Sequence, residues 1–194
     1  MFNLFFKYFI FLLVFIIICF MGITFSLSTT DGLSFSNNIL DSDFISSSGF
    51  VWPTPGYDYI TSPFGYRVAP TSGAGTFHGG IDIGAPAGST IVSAFPGTVT
   101  YIGFYGANGY TVRISDGYYT ANYSHVSPYF LVYEGQYINK GEIIGTVGPK
   151  NVYGVPNNPY KDSNGNPTNG ATTGPHLHFS IRIDGKAVNP MSYY

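Results

Sequence analysis

Read by pattern, the chain divides into three unequal parts. From Tyr8 to Phe25 the run YFIFLLVFIIICFMGITF contains no charged side chain. As a helix it would reach roughly 27 Å, close to the ~30 Å of bilayer hydrocarbon. Residues 1–25 are therefore expected to form an N-terminal transmembrane helix. An uncleaved signal anchor is favoured over a cleaved signal, whose apolar stretch is usually only ~7–15 residues. Lys7 is the single basic residue before the span, which directs the amino end to the cytoplasm and the remainder outward. Residues 26–50 are rich in Ser, Asn, Asp and Thr with scattered apolar positions, too little to bury a core, and read as a flexible spacer.

From Val51 to Tyr194 the pattern changes to short apolar or aromatic runs broken by turn dipeptides. Asn108-Gly109, Asp116-Gly117 and Asp184-Gly185 are hairpin signals. In GPHLHFSIRI, Leu177, Phe179, Ile181 and Ile183 share one parity, and His176, His178, Ser180 and Arg182 share the other. Residues 51–194 are thus expected to form one all-β domain, an antiparallel, sandwich-like arrangement with short hairpins and long loops. One stretch breaks the pattern: 149–173, dense in Asn, Pro and Gly. Loops of that length are usually functional or disordered, and this one ends at a histidine pair.

Composition sharpens this picture. Charged residues make up 9% of the chain, against roughly 25% in an average soluble domain, so a charged disordered chain and a coiled coil are both excluded. Gly 25 and Pro 13, with Tyr 17 and Phe 17, suit short strands and tight turns. The net charge is −2 and the basic residues are scattered, which leaves no footprint for a nucleic-acid partner. The sole cysteine, Cys19, lies in the apolar run, so the exported part has no disulfide. Ile18 before it argues against lipid attachment there.

The chemistry rests on the 4 histidines. In HGGID, His78 and Asp82 would stand ~13 Å apart along a straight strand; Gly79-Gly80 offers the bend that brings them together. Taken alone, His78 reads equally as an exposed loop histidine. In HLH, alternation sets His176 and His178 side by side ~7 Å apart, either as a site or as two solvated histidines on an edge strand. His125 ends the strand after Asp116-Gly117, where a surface or capping histidine is the simplest reading. As a set, His78, Asp82 and His178 have the composition of a catalytic zinc site with an open position for water, leaving His125 and His176 as two proton-handling candidates. Zinc lowers the pKa of its water to about 7, and histidine is the matching base. G-x-S-x-G, Walker and dinucleotide motifs are absent.

These residues resemble a known family, the lysostaphin-type, LytM-like zinc metalloendopeptidases that hydrolyse bacterial peptidoglycan. The matching pieces are WPTPGYDYITSPFGYR (52–67), FHGGIDIGAP (77–86), PGTVTYIG (96–103), YSHV (123–126), EGQYINKGEIIGTVG (134–148) and TGPHLHFSI (173–181). The resemblance implies a LytM-type domain over 51–194, with His78, Asp82 and His178 as zinc ligands and His125 and His176 as the catalytic pair. Two departures stand out. The link before H-x-H is long, and could wall the groove, set substrate choice or cover the metal. Ser180 stands where the family often has Glu.

The expected activity is zinc-dependent hydrolysis of amide bonds in peptidoglycan cross-linking peptides. His176 would take the proton of the attacking water, and His125 would orient it or stabilise the oxyanion, with the reverse division also open. Tyr123, two residues before His125 and on the same strand face, could add a hydrogen bond to the intermediate, although packing is the simpler role. Arg67 is expected to pin the loop carrying His78 by pairing with a carboxylate or carbonyl. The expected location is the bacterial cell envelope, with the domain outside the membrane, or secreted if the leader is cleaved. The rival reading is a catalytically silent, membrane-tethered scaffold with an envelope or sporulation protein as partner. Such modules typically lack a metal or catalytic residue, and none is missing here.

Overall fold

The computed structural model describes residues 49–194. The expected membrane helix at 1–25 and most of the expected spacer lie outside them. Among the described residues no helix is long and apolar enough to cross a membrane.

The turn-punctuated pattern gives twelve strands among the described residues: β1 (Ile60–Ser62), β2 (Gly65–Tyr66), β3 (Phe77–His78), β4 (Ile81–Ile83), β5 (Thr90–Val92), β6 (Gly97–Phe104), β7 (Tyr110–Ser115), β8 (Tyr119–Ser124), β9 (Tyr137–Ile138), β10 (Ile143–Thr146), β11 (Leu177–Ile183) and β12 (Lys186–Val188). The main sheet has the order β1-β4-β11-β8-β7-β6-β9, with β12 also paired to β11. Its pairings are all antiparallel. β5 with β10 and β2 with β3 make two small ribbons. Among the described residues a second full sheet, as in a complete sandwich, is not formed. Instead the β5–β10 ribbon contributes Ile91 and Ile144 to the same core cluster as the inner face of the main sheet.

All three dipeptide signals sit at chain reversals, by different means. Asp184 and Gly185 both have positive φ, 49° and 75°, as a type I′ hairpin turn requires. Gly117 alone is positive in the second turn, and Asp116 Oδ1 accepts from Tyr118 N and Tyr119 N. In the first, a 3₁₀ turn Gly106–Asn108 precedes Gly109.

Strand alternation separates two faces. Leu177, Phe179 and Ile181 of β11 are fully buried beside Ile81 and Ile83 of β4 and Tyr123 of β8. Phe50, at the edge of the expected spacer, is already in this core, stacked on Tyr193 at 5.0 Å and tilted against Phe95. The opposite face carries the polar parity, and the crossover that lays β4 beside β11 sets Asp82 directly opposite His178. That pairing joins positions nearly a hundred residues apart in the chain.

Candidate metal centre

The glycine bend predicted in HGGID is present: β3 ends at His78, β4 begins at Ile81, and Gly79-Gly80 turns between them. Gly80 also sits too close to β11 for any side chain. A Cβ there would lie 2.4 Å from Phe179 O and 3.0 Å from His178 Cε1. The bend brings His78 Nε2 to 3.1 Å from Asp82 Oδ1. From the facing strand, His178 Nδ1 lies 2.8 Å from the same oxygen and 2.9 Å from His78 Nε2. His78, Asp82 and His178 are the residues that geometry groups as able to hold a metal ion.

The donor set fits zinc. Tetrahedral bonds of ~2.0–2.1 Å space ligand atoms at roughly 3.3 Å, and two imidazoles with a carboxylate leave a fourth position open. The surroundings orient the donors. His78 Nδ1–H donates to Pro63 O at 2.8 Å, so Nε2 presents its lone pair, the arrangement typical of a metal-binding histidine. Arg67 Nη1 donates to Asp82 Oδ2 at 3.0 Å and to Ser62 Oγ, leaving Oδ1 to the cluster. Arg67 therefore pairs with a carboxylate, as expected from the sequence.

Charge states agree with this geometry. Burial alone would raise the Asp82 pKa, but hydrogen bonds with His178 and His78, and the nearby imidazole charges, hold it well below the usual carboxylate range. Burial is the main cause that pushes the His178 pKa down, against the opposing pull of Asp82. The cluster is thus an ionised carboxylate and an imidazole biased to neutrality, the states in which these groups bind metal.

His176 and His125 stand beside the cluster. The 172–174 turn holds His176, whose Nδ1–H donates to Gly174 O at 2.9 Å. Its Nε2 is 3.6 Å from Asp82 Oδ1. His125 is stacked obliquely on it, ring centroids 4.6 Å apart. Its Nδ1–H donates to Asn169 O at 2.6 Å, and burial, followed by the like charges of His176 and His178, lowers its pKa to about 3. Both imidazoles, with the cluster, line a cleft of about 520 Å³. All five expected residues therefore meet in one place.

Tyr123 does not join them, which corrects the expected shared face. β8 ends at Ser124, and His125 has φ 59°, so alternation stops one residue short of it. Tyr123 turns into the core, fully buried, where its hydroxyl accepts from Ala94 N at 2.8 Å and its ring packs on Phe179. Ser180 is buried and accepts from Asn122 Nδ2 at 3.1 Å.

Asn169 is the residue that sequence reading missed. It is fully buried, and besides holding His125 it accepts from Tyr110 N through Oδ1 at 2.8 Å and donates to Val126 O through Nδ2 at 3.0 Å. The only signal was that the 149–173 loop ends at the histidine pair. This loop supports the site through Asn169 and walls the cleft with Ala171, Thr172 and Thr173; it leaves the cleft open above the cluster.

The model of Peptidase family M23 matches residues 76–190. The chain belongs to this family. As an M23 domain it is 37% identical over 138 residues to the DD-carboxypeptidase/endopeptidase Mpg of Neisseria meningitidis, covering 70% of this chain and 27% of Mpg. It is 33% identical over 147 residues to the murein hydrolase activator NlpD of Escherichia coli, covering 73% of this chain and 30% of NlpD. The M23 chain thus spans about a quarter to a third of the length of these curated relatives. In fold it is similar to the catalytic domain of the antimicrobial peptidase lysostaphin from Staphylococcus simulans, with a TM-score of 0.52, 23% identity, and coverage of 71% of this chain and 90% of that one. The all-β, LytM-type architecture expected from the sequence is the observed one.

Proposed function

We propose that this M23 domain is a zinc-dependent endopeptidase that hydrolyses amide bonds in the cross-linking peptides of peptidoglycan. The observation that carries the reading is the convergence of His78 Nε2, Asp82 Oδ1 and His178 Nδ1 within about 3 Å of one another, beside two further imidazoles in an open cleft. Those three atoms are the metal ligands in this reading.

When bound, zinc supplies Lewis-acid polarisation of the scissile carbonyl and a lowered pKa for the attacking water. His176 Nε2 is the base. With Nδ1–H fixed on Gly174 O, its free lone pair faces the cleft, 3.6 Å from Asp82 Oδ1. His176 returns that proton to the leaving amine as the C–N bond breaks and the new C–O bond remains on the acyl fragment. His125, kept neutral by burial and with Nδ1–H on Asn169 O, offers Nε2 as an acceptor that orients the water. Both backbone carbonyls leave Nε2 free, and the division between the two imidazoles rests on the burial that keeps His125 neutral.

The name of Mpg makes a D,D cross-link the first substrate to test. The apolar segment before the domain would tether it at the outer face of the membrane, within reach of the wall and of envelope partners. The test incubates the full chain with defined wall cross-link peptides and follows fragments by mass spectrometry. Fragments should appear, vanish on chelation and return with zinc; His178→Ala should lose metal and at least a hundredfold in rate. A His178→Ala protein with full metal content and full hydrolysis overturns the assignment. The similarity to NlpD favours one alternative, a non-hydrolysing activator, which would bind metal and wall yet release no fragment.

A further inference from the structure

We propose that the open face of the main sheet carries, next to the metal cluster, a binding site for a carboxylate of the substrate peptide, anchored by Arg113 and Arg182. The identity of its ligand as a peptide rests on the peptidase reading; the anion site itself does not.

The register of β7, β8 and β11 arranges this face in rows. His178, Ser124 and Thr111 form the first, which belongs to the metal cluster. Ser180, Asn122 and Arg113 form the second, and Arg182, Thr120 and Ser115 the third. Successive rows are ~7 Å apart along the strands. Asn122 and Arg113 of the second row, with the third row, floor a separate cavity of about 470 Å³, whose lining shares Asn108 and Arg182 with the catalytic cleft. A peptide held with its scissile bond over the cluster would reach the second row two residues along and the third row two residues beyond that, since one extended residue spans ~3.4 Å.

The chemistry of this cavity is cationic. Arg113 and Arg182 line it, and no Asp or Glu does. Neither arginine makes an ion pair among the described residues. Asp116, in the turn at the end of β7, is committed to the amides of Tyr118 and Tyr119. Arg113 is pre-positioned rather than loose. Its Nε donates to Asn122 Oδ1 at 2.7 Å, and its guanidinium lies over the rings of Tyr105 and Tyr101, 5.0 and 5.5 Å from their centroids. That clamp uses Nε and the planar face, leaving both terminal nitrogens for a ligand. Arg182 is fixed at one terminal nitrogen by Gly185 O at 2.8 Å. A planar fork held in this way matches the two oxygens of a carboxylate.

The test titrates the full chain, with chelator present to prevent turnover, against two wall peptides that differ at one position: a free glutamyl carboxylate in one and its carboxamide in the other. The carboxylate peptide should bind about tenfold tighter, with the gap shrinking as salt rises. Arg113→Gln and Arg182→Gln should each narrow the gap, and together close it, while affinity for the carboxamide peptide stays within about twofold. Equal affinity for the two peptides, no measurable binding of either, or a gap that survives both substitutions overturns the proposal. The peptide comparison on the unaltered chain needs no variant to fold. Hydrolysis is scored separately: a chain that discriminates the peptides but cuts neither keeps this site and loses the peptidase reading.

Discussion

Asp82 divides its two oxygens between jobs, and that division gives Arg67, which is not itself a ligand, a hold on the metal site. Oδ2 is held by Arg67 while Oδ1 faces both imidazoles. Arg67→Ala should weaken zinc binding by about 10–100-fold, as read by competition with a coloured chelator; an unchanged affinity would show the contact to be incidental. Asn169→Ala strands the Tyr110 amide and the Val126 carbonyl in the interior. It should cost roughly 2–4 kcal/mol in denaturant unfolding and lower kcat more than it raises KM, because the carbonyl that fixes His125 loosens. Only the first of these roles could be read from the chain as text. Arg67 was visible as a pin because it sits in the motif before His78, but the partners of Asn169 lie in strands that only the folded topology brings near.

At the level of elements, the parity of β11 was fully legible, because a strand with one face in the core repeats every second residue. The three hairpin dipeptides were legible for a similar reason, being local choices of backbone. What parity could not reach was the end of β8, where a non-glycine φ of 59° turns His125 out of the alternation that buries Tyr123. The adjacency of β4 and β11 was also hidden, since strand order is set by packing and not by local sequence. Gly80 marks that adjacency. Gly80→Ala places a methyl 2.4 Å from the Phe179 carbonyl, where backbone rather than a yielding side chain stands in the way. It should destabilise the domain by ~2–4 kcal/mol in a urea melt and take metal affinity down with it; a neutral outcome would mean that β4 and β11 separate more readily than their pairing suggests.

The whole molecule should be confined by pH from both sides. His125 and His178 are held below the ordinary histidine value of 6.5, chiefly by burial. A lowered folded-state pKa stabilises the fold above the unfolded value, so this contribution is complete above pH 6.5 and drains as pH falls towards about 3. Asp82, also lowered, adds a further loss at the acid end. In alkali the sign reverses. Burial raises Tyr123 from 10.0 to about 12, and burial raises Tyr194 as well. The Tyr123 contribution is complete below pH 10 and is lost as pH rises through about 12, and Tyr194 acts in the same direction. Melting temperatures of the metal-free protein should therefore fall on both sides of a plateau between about pH 6.5 and 10; a flat profile from pH 7 to 4 would contradict the buried neutral imidazoles.

The face-by-face register of β7, β8 and β11 has one more implication, for how such a protein matures. A slip of one residue in strand pairing sends every side chain to the opposite side of its sheet. His178 would then enter the interior together with Ser180 and Arg182, and hydrophobic neighbours would meet solvent in their place. Such a mispaired intermediate would lack an assembled site, because His178 leaves the ligand group and Arg182 leaves the open face at once. The metal-binding group should thus assemble as a single event late in folding, when this register is set.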